Sequence, residues 1–291
     1  MITNMEFDHL DPVVSTTLCV PYAWVPDMYG AGSNTLHMHI IYPNEAPEDG
    51  LPVLLWICGG GWECCEPQNR MADLAYFAHR GYIVCLAEYR ISNTAPFPAQ
   101  IRDVKTAIRF IRKNAKKFRA NPDRIALMGD SAGGHLVTLA GLAPDRAEFT
   151  GDQWEGVSDR VQAVVDWYGV VDFFAMAEEY GLDSLAQLPG NNCIAKLFGG
   201  ELADKTELIR QANAIDYVTP DAPPFLILHG DQDTSVPLKL SESLHEKLNA
   251  AGVPAELVVV KGAGHATIEF SQEKLLRYIA DWLDHSMPAA K

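Results

Sequence analysis

A serine hydroxyl is a poor nucleophile at neutral pH, and it becomes a good one only beside a base whose other nitrogen faces an anion. Gly129–Asp130–Ser131–Ala132–Gly133 has the G-x-S-x-G form of a sharp strand-to-helix turn. Glycines on either side relieve crowding there, the central serine is held in a strained conformation, and its Oγ is exposed with the Ala132 amide at a helix N-terminus beside it. Downstream, His229–Gly–Asp231–Gln–Asp233–Thr–Ser–Val–Pro237 supplies two acids, and Lys261–Gly–Ala–Gly264–His265–Ala supplies a histidine. The order Ser, Asp, His suits nucleophilic acyl transfer by Ser131, His265 and Asp233. Asp233 lies further beyond the strand end than Asp231, just before Val236–Pro237, and so is expected to reach the His265 loop. Asp231 is expected to cap the turn.

Of the nine histidines, only His265 combines a loop position with glycine neighbours. His79, His135, His245 and His285 fall in helical patterns. His37 and His39 could share one face of a strand, but no third ligand is near in sequence, so no metal site is expected. Acyl transfer also needs donors for the developing oxyanion. Cys58–Gly59–Gly60–Gly61–Trp62 follows an apolar run, and its three glycines let the chain aim backbone amides at the site. It lacks the Gly-Lys-Ser/Thr of a phosphate loop. Trp62 stands either to wall a substrate pocket or to pack the loop onto the core.

The elements that must hold these residues alternate along the chain. Pro52–Cys58, Tyr82–Ala87, Arg124–Met128, Val161–Trp167, Pro223–His229 and Ala255–Val260 read as strands. Arg70–Arg80, Ala99–Phe118, His135–Leu142, Leu238–Ala251 and Glu269–His285 read as helices between them. Strands that are continuously apolar belong to a sheet covered on both faces, so the pattern predicts a mostly parallel, doubly wound α/β sheet. Thr16–Trp24 and Thr35–Tyr42, separated by Gly30–Ala31–Gly32–Ser33–Asn34, suit an antiparallel hairpin at its edge. From Phe173 to Asp216 the rhythm lapses, punctuated by Gly181, Pro189–Gly190–Asn191–Asn192 and Gly199–Gly200. That stretch is expected to be a lid or cap insertion in a single domain spanning 1–291.

The composition is that of a globular protein, with 48% hydrophobic and 21% charged residues in 291. A formal charge of −15 argues against nucleic acid and for a neutral or cationic substrate. The cations of Arg102–Arg119 alternate with Ile101, Val104, Ile108, Ile111, Ala115 and Phe118, the pattern of an amphipathic helix with a solvated basic face. The first Lys or Arg is Arg70 and no apolar run approaches the ~20 residues of a membrane span, so a soluble, cytoplasmic protein is expected. Six cysteines stand at 19, 58, 64, 65, 85 and 193. A domain of this size needs no disulfide staples, and Cys58 and Cys85 are expected to be buried thiols.

Taken together, the Gly-Gly-Gly-Trp turn, Glu88–Tyr89–Arg90–Ile91–Ser92, Phe97–Pro98–Ala99–Gln100, Gly129–Asp130–Ser131–Ala132–Gly133–Gly134, the Asp233 loop and Gly264–His265 resemble an esterase group. That group is the serine esterases of the α/β-hydrolase superfamily, namely the bacterial acetylxylan and feruloyl esterase-like enzymes and those similar to hormone-sensitive lipase. The resemblance implies Ser131, Asp233 and His265 as catalytic triad, and the amides of Gly60, Gly61 and Ala132 as oxyanion hole. It implies Tyr89, Arg90 and Asp103 as structural supports. It implies a small-molecule or oligosaccharide ester as substrate, with neither metal nor organic cofactor, while the charge and the lack of a long apolar run argue against a nucleic-acid or membrane partner. Many relatives carry His before the glycine run, where this chain has Cys58. Amide cleavage on the same scaffold remains open at this point, as does a non-catalytic binding role, although such binders commonly lose a triad member.

Overall fold

The computed structural model describes residues 3–6, 12–27, 29–151, 153–188, 190 and 192–288. Pro189 and Asn191, two of the residues expected to punctuate the insertion, lie outside them. Eight strands form one sheet: β1 Val14–Pro26, β2 Ser33–Pro43, β3 Leu51–Ile57, β4 Ile83–Ala87, β5 Ala120–Asp130, β6 Ala163–Trp167, β7 Phe225–Gly230 and β8 Ala255–Val260. Their order is β1-β2-β4-β3-β5-β6-β7-β8. β1 and β2 pair antiparallel, as do β2 and β4, and every other neighbouring pair is parallel. The expected doubly wound sheet with an N-terminal antiparallel hairpin at its edge is the observed α/β fold.

The reason lies in the strand sequences. All residues of β3, β4, β6 and β7 are buried, so neither face of the central sheet meets water and apolar side chains are needed at every position. Helices supply the cover: α1 Met71–His79, α2 Ala99–Lys113, α3 Ala115–Phe118, α4 Ala132–Leu142, α5 Phe173–Glu179, α6 Cys193–Leu197, α7 Thr206–Ala212, α8 Leu238–Ala250 and α9 Glu273–Ser286. Here α1 packs with α9, and α2 with α4. Between β6 and β7 lie α5, α6 and α7, the stretch in which the strand–helix rhythm lapses.

The basic helix departs from expectation in two ways. It breaks at Asn114 and its C-terminal turn ends on Arg119 in the left-handed region. Its basic face is not wholly solvated either: Lys105 and Arg109 are 0% and 2% exposed. Both reach Asp159 at 3.4 Å, itself 2% exposed, and Lys105 also donates to the carbonyl of Ala143. Helical spacing places these cations against α4 and the chain beyond it, and the buried acid that receives them is some fifty positions away in sequence. Burial lowers the pKa of both, with the carboxylate of Asp159 opposing the shift.

Candidate active site

β5 delivers Asp130 and ends in the turn that carries Ser131. The serine has φ +52° and ψ −117°, a conformation costly for a residue with a Cβ. The turn closes because its flanks are glycine: a Cβ on Gly129 would come within 2.6 Å of the Gly133 carbonyl oxygen, and one on Gly133 would meet the Ile57 backbone. The Ser131 N–H donates to the carbonyl of Trp167 at the end of β6 (2.8 Å), and its carbonyl accepts the His135 N–H of α4 (2.9 Å). Local backbone bonding therefore secures the strained residue.

His265, on the loop after β8, lies with Nε2 2.9 Å from Ser131 Oγ and Nδ1 2.7 Å from Asp233 Oδ2. The carboxylate can only accept, so Nδ1 carries the hydrogen and Nε2 is free to take the serine proton. Asp233 follows β7. Its side chain is fully buried, and Oδ1 accepts the N–H groups of Ser235 (2.8 Å) and Val236 (2.9 Å). Burial disfavours its charge, but hydrogen bonds from His229, His265 and the Val236 amide outweigh that and hold its carboxyl well below the usual range. His229 is fully buried. Its Nε2 donates to Val236 O (2.9 Å) and lies 3.3 Å from Asp233 Oδ2, while Nδ1 accepts the Ser241 hydroxyl (2.7 Å). Asp231 faces elsewhere: Oδ1 accepts the Gly262 N–H (2.7 Å) and Oδ2 pairs with Lys261 (3.3 Å).

The glycine loop after β3 is tied down from below. Asp130 Oδ1 accepts the Gly59 N–H at 2.6 Å, and Tyr89 Oη donates to Cys58 O at 3.1 Å. The polar support of this loop comes from Asp130 and Tyr89. Gly60 and Gly61 have φ +121° and +58°, and the Gly60 carbonyl receives the N–H groups of Glu63 and Cys64, closing a turn. The amides of Gly60 and Gly61 donate to no described residue. Ala132 is the first residue of α4, where helix geometry leaves the amide without a partner in the helix. Arg90 clamps Asp103 through Nε and Nη2, and its own N–H donates to the same carboxylate (2.9 Å).

Trp62 takes the second of the two roles open to it. It is 2% exposed, its ring lies edge-on to His135 at 5.4 Å, and its indole N–H donates to His135 Nδ1 (3.2 Å). It packs the glycine loop onto α4 and offers no open aromatic face to a substrate. The segment around α5 and α6 reaches the same loops: Lys196 pairs with Glu63, Tyr180 Oη donates to Ser235 O, and a Cβ on Gly61 would lie 3.4 Å from Cys193 Cβ.

Sequence reading missed His229, Asp130 and Tyr168. The last has φ +43° and packs its ring 4.7 Å from that of His265. Asp130 was visible as the variable position of G-x-S-x-G, and His229 as the last polar residue of an apolar strand; Tyr168 left no signal. His37 stands beside Glu88 (3.4 Å) and His39 Nδ1 accepts the Cys19 N–H (3.2 Å). Among the described residues no group of three or more His, Cys, Asp or Glu could hold a metal ion, and no helix is long and apolar enough to cross a membrane.

A mostly parallel sheet with Ser131, Asp233 and His265 in hydrogen-bond succession at the carboxyl ends of β5, β7 and β8 defines an α/β-hydrolase fold. The BD-FAE family matches residues 38–248, and the chain belongs to that family. It is 33% identical over 224 residues to Esterase LipC of Mycobacterium tuberculosis, covering 76% of this chain and 54% of that one. The chain spans about half the length of the curated relatives it matches. A solved structure described as a truncated form of carbohydrate esterase from gut microbiota superposes with TM-score 0.80 at 27% identity, covering 94% of this chain and 97% of that one. The bifunctional GH43-CE of Bacteroides eggerthii gives 0.77 at 31% identity, covering 86% of this chain and 33% of that one.

Proposed function

We propose that the protein hydrolyses carboxylic esters through an acyl-enzyme on Ser131, favouring short acyl groups, acetyl above all, on a carbohydrate or another polar alcohol. The observation that carries the reading is the hydrogen-bonded succession Ser131 Oγ, His265 Nε2, His265 Nδ1 and Asp233 Oδ2, at 2.9 and 2.7 Å. Ser131 Oγ attacks the ester carbonyl carbon while His265 Nε2 takes its proton, and Asp233 stabilises the imidazolium. The amides of Gly60, Gly61 and Ala132 receive the developing oxyanion. His265 then protonates the departing alcohol, and water repeats the sequence to release the acid.

The esterase names of the relatives support the reaction class, and the carbohydrate esterases among the structural neighbours support the polar alcohol. We assign 1–291 to one α/β-hydrolase domain with 173–216 as its cap. The approach of Cys193 to Gly61 supports a cap that leaves little room for a long acyl chain. The test measures acetate release from acetylated xylo- or manno-oligosaccharides, alongside p-nitrophenyl esters of rising chain length and an acetanilide. Acetylated sugars and the acetyl ester are expected to be turned over fastest. Faster cleavage of octanoate with no acetylated sugar accepted, or a preference for the anilide, overturns the substrate reading.

A further inference from the structure

The departure at Cys58 has a partner. Cys58 and Cys65 are both free thiols, and their Sγ atoms lie 3.6 Å apart across the base of the glycine loop. They bracket the six residues Gly59–Cys64, which include both glycine amides assigned to the oxyanion hole. Tyr89 pins the two ends together: its N–H donates to Cys65 Sγ (3.3 Å), and its hydroxyl lies 3.1 Å from Cys58 O and 3.5 Å from Cys64 O. A disulfide needs sulfurs ~2.05 Å apart, so closing it draws the two sulfurs roughly 1.5 Å together and with them the backbone that carries them.

We propose that Cys58 and Cys65 are a reversible modification site, closed to a disulfide by a hydroperoxide, and that closure turns down the reaction at Ser131. Cys65 is half-buried and Cys58 buried, so the peroxide meets Cys65 first. The Cys65 thiolate attacks the peroxide, the O–O bond breaks, and a sulfenic acid forms with release of an alcohol or water. The Cys58 thiol then attacks the Cys65 sulfur: the S–S bond forms, the S–O bond breaks and water leaves. Two thiols and one hydroperoxide thus give one disulfide, one alcohol and one water. The hydrogen bond with Cys65, together with burial, raises the pKa of Cys58, which suits the resolving position better than the attacking one.

The movement reaches the loop because Cys64 packs against Gly60 and is hydrogen-bonded to it. A Cβ on Gly60 would come within 2.5 Å of Cys64 O, and the Gly60 carbonyl already receives the Cys64 N–H (3.1 Å). Drawing Cys65 toward Cys58 therefore displaces the Gly60 amide. Loss of one oxyanion donor typically costs about 10² or more in kcat.

The inhibition rests on the ester-hydrolase reading, whereas the bond does not, so the two are read separately. The full chain is treated with hydrogen peroxide, thiols are blocked, and the protein is cleaved after Glu63 and Glu66, which separates Cys58 from Cys65 unless they are linked. The expected result is a linked pair of peptides lacking two hydrogens, a fall in kcat on the order of 10²-fold, and recovery of both with dithiothreitol. Cys65→Ser and Cys58→Ala are expected to keep their reduced activity and lose the response, while Cys64→Ser retains it. The proposal is overturned by absence of the linked peptides in folded protein, by linkage with unchanged kcat, or by equal inactivation of Cys65→Ser. A chain that forms the bond yet cleaves no ester sinks the ester reading and leaves the dithiol site standing.

Discussion

Asp231 and Asp233 are the same side chain two residues apart, and their surroundings give them different work. Asp233 is held anionic by the Ser235 and Val236 amides with His229 and faces His265, whereas Asp231 ties its loop to Gly262 and Lys261 from the solvent side. Asp233→Asn is therefore expected to lower kcat by about 10⁴, and Asp231→Asn by less than tenfold, in steady-state ester hydrolysis. The reverse ranking would assign the acid to Asp231. Ser131→Ala is expected to lose about 10⁶ in kcat while keeping its far-UV spectrum and melting temperature; a variant retaining a tenth of the activity removes Ser131 from the mechanism. The residues brought within reach of one another were legible in sequence because loop position after an apolar strand constrains them. His229 was less so, since a buried histidine that donates to Val236 and leans on Asp233 gets its role from packing alone. Tyr168 lies in a left-handed turn against His265, and nothing in its neighbours foretells that.

The elements were read from hydrophobic periodicity, which locates a strand or helix without saying what its polar residues meet. β8 runs over the expected Ala255–Val260, and the other parallel strands shift by only a few residues. Lys105 and Arg109 leave the expected solvated face because they meet Asp159, which helical spacing cannot reveal. Removing that acid leaves two buried cations unpaired, so Asp159→Ala is expected to destabilise the fold by about 3–5 kcal/mol in urea unfolding. A loss under about 1 kcal/mol would mean that the cations find water or other acceptors, as at an exposed pair. A second link joins elements across the site: the Asp130 carboxylate at the end of β5 holds the Gly59 amide beyond β3. Asp130→Ala frees that loop and is expected to lower kcat by about 10² with little change in KM, whereas Asp130→Asn, which keeps an acceptor for Gly59, is expected to retain most activity. Equal losses in the two variants would place the effect in charge and not in the tether.

At the scale of the whole molecule, two fully buried groups, His135 and Asp166, set opposing pH dependences of stability. Burial lowers His135 to about 4, against an assist from the Ala212 carbonyl. The ring has no room for a second proton, since Nδ1 already accepts the Trp62 indole N–H while Nε2 meets Ala212 O. Burial raises Asp166 to about 6, opposed by the Gly169 N–H. As pH falls from about 6.5 to 4, the unfolded chain protonates His135 while the native state does not, so stability is lost. From about pH 6 down to 4 the native state protonates Asp166 before the unfolded chain does, and stability is gained. At roughly 1.4 kcal/mol per pKa unit, each contributes about 3 kcal/mol, so over this window the two nearly cancel. Asp233, with its lowered carboxyl, withdraws its contribution only in stronger acid. Single substitutions uncover the balance. Asp166→Asn, whose amide oxygen can still accept the Gly169 N–H, is expected to lose about 3 kcal/mol between roughly pH 6.5 and 4. His135→Gln is expected to gain about as much over the same range. Urea midpoints at three pH values measure both, and an Asp166→Asn protein whose midpoint follows the same pH dependence as that of the parent would show that the Asp166 carboxyl stays ionised in the core.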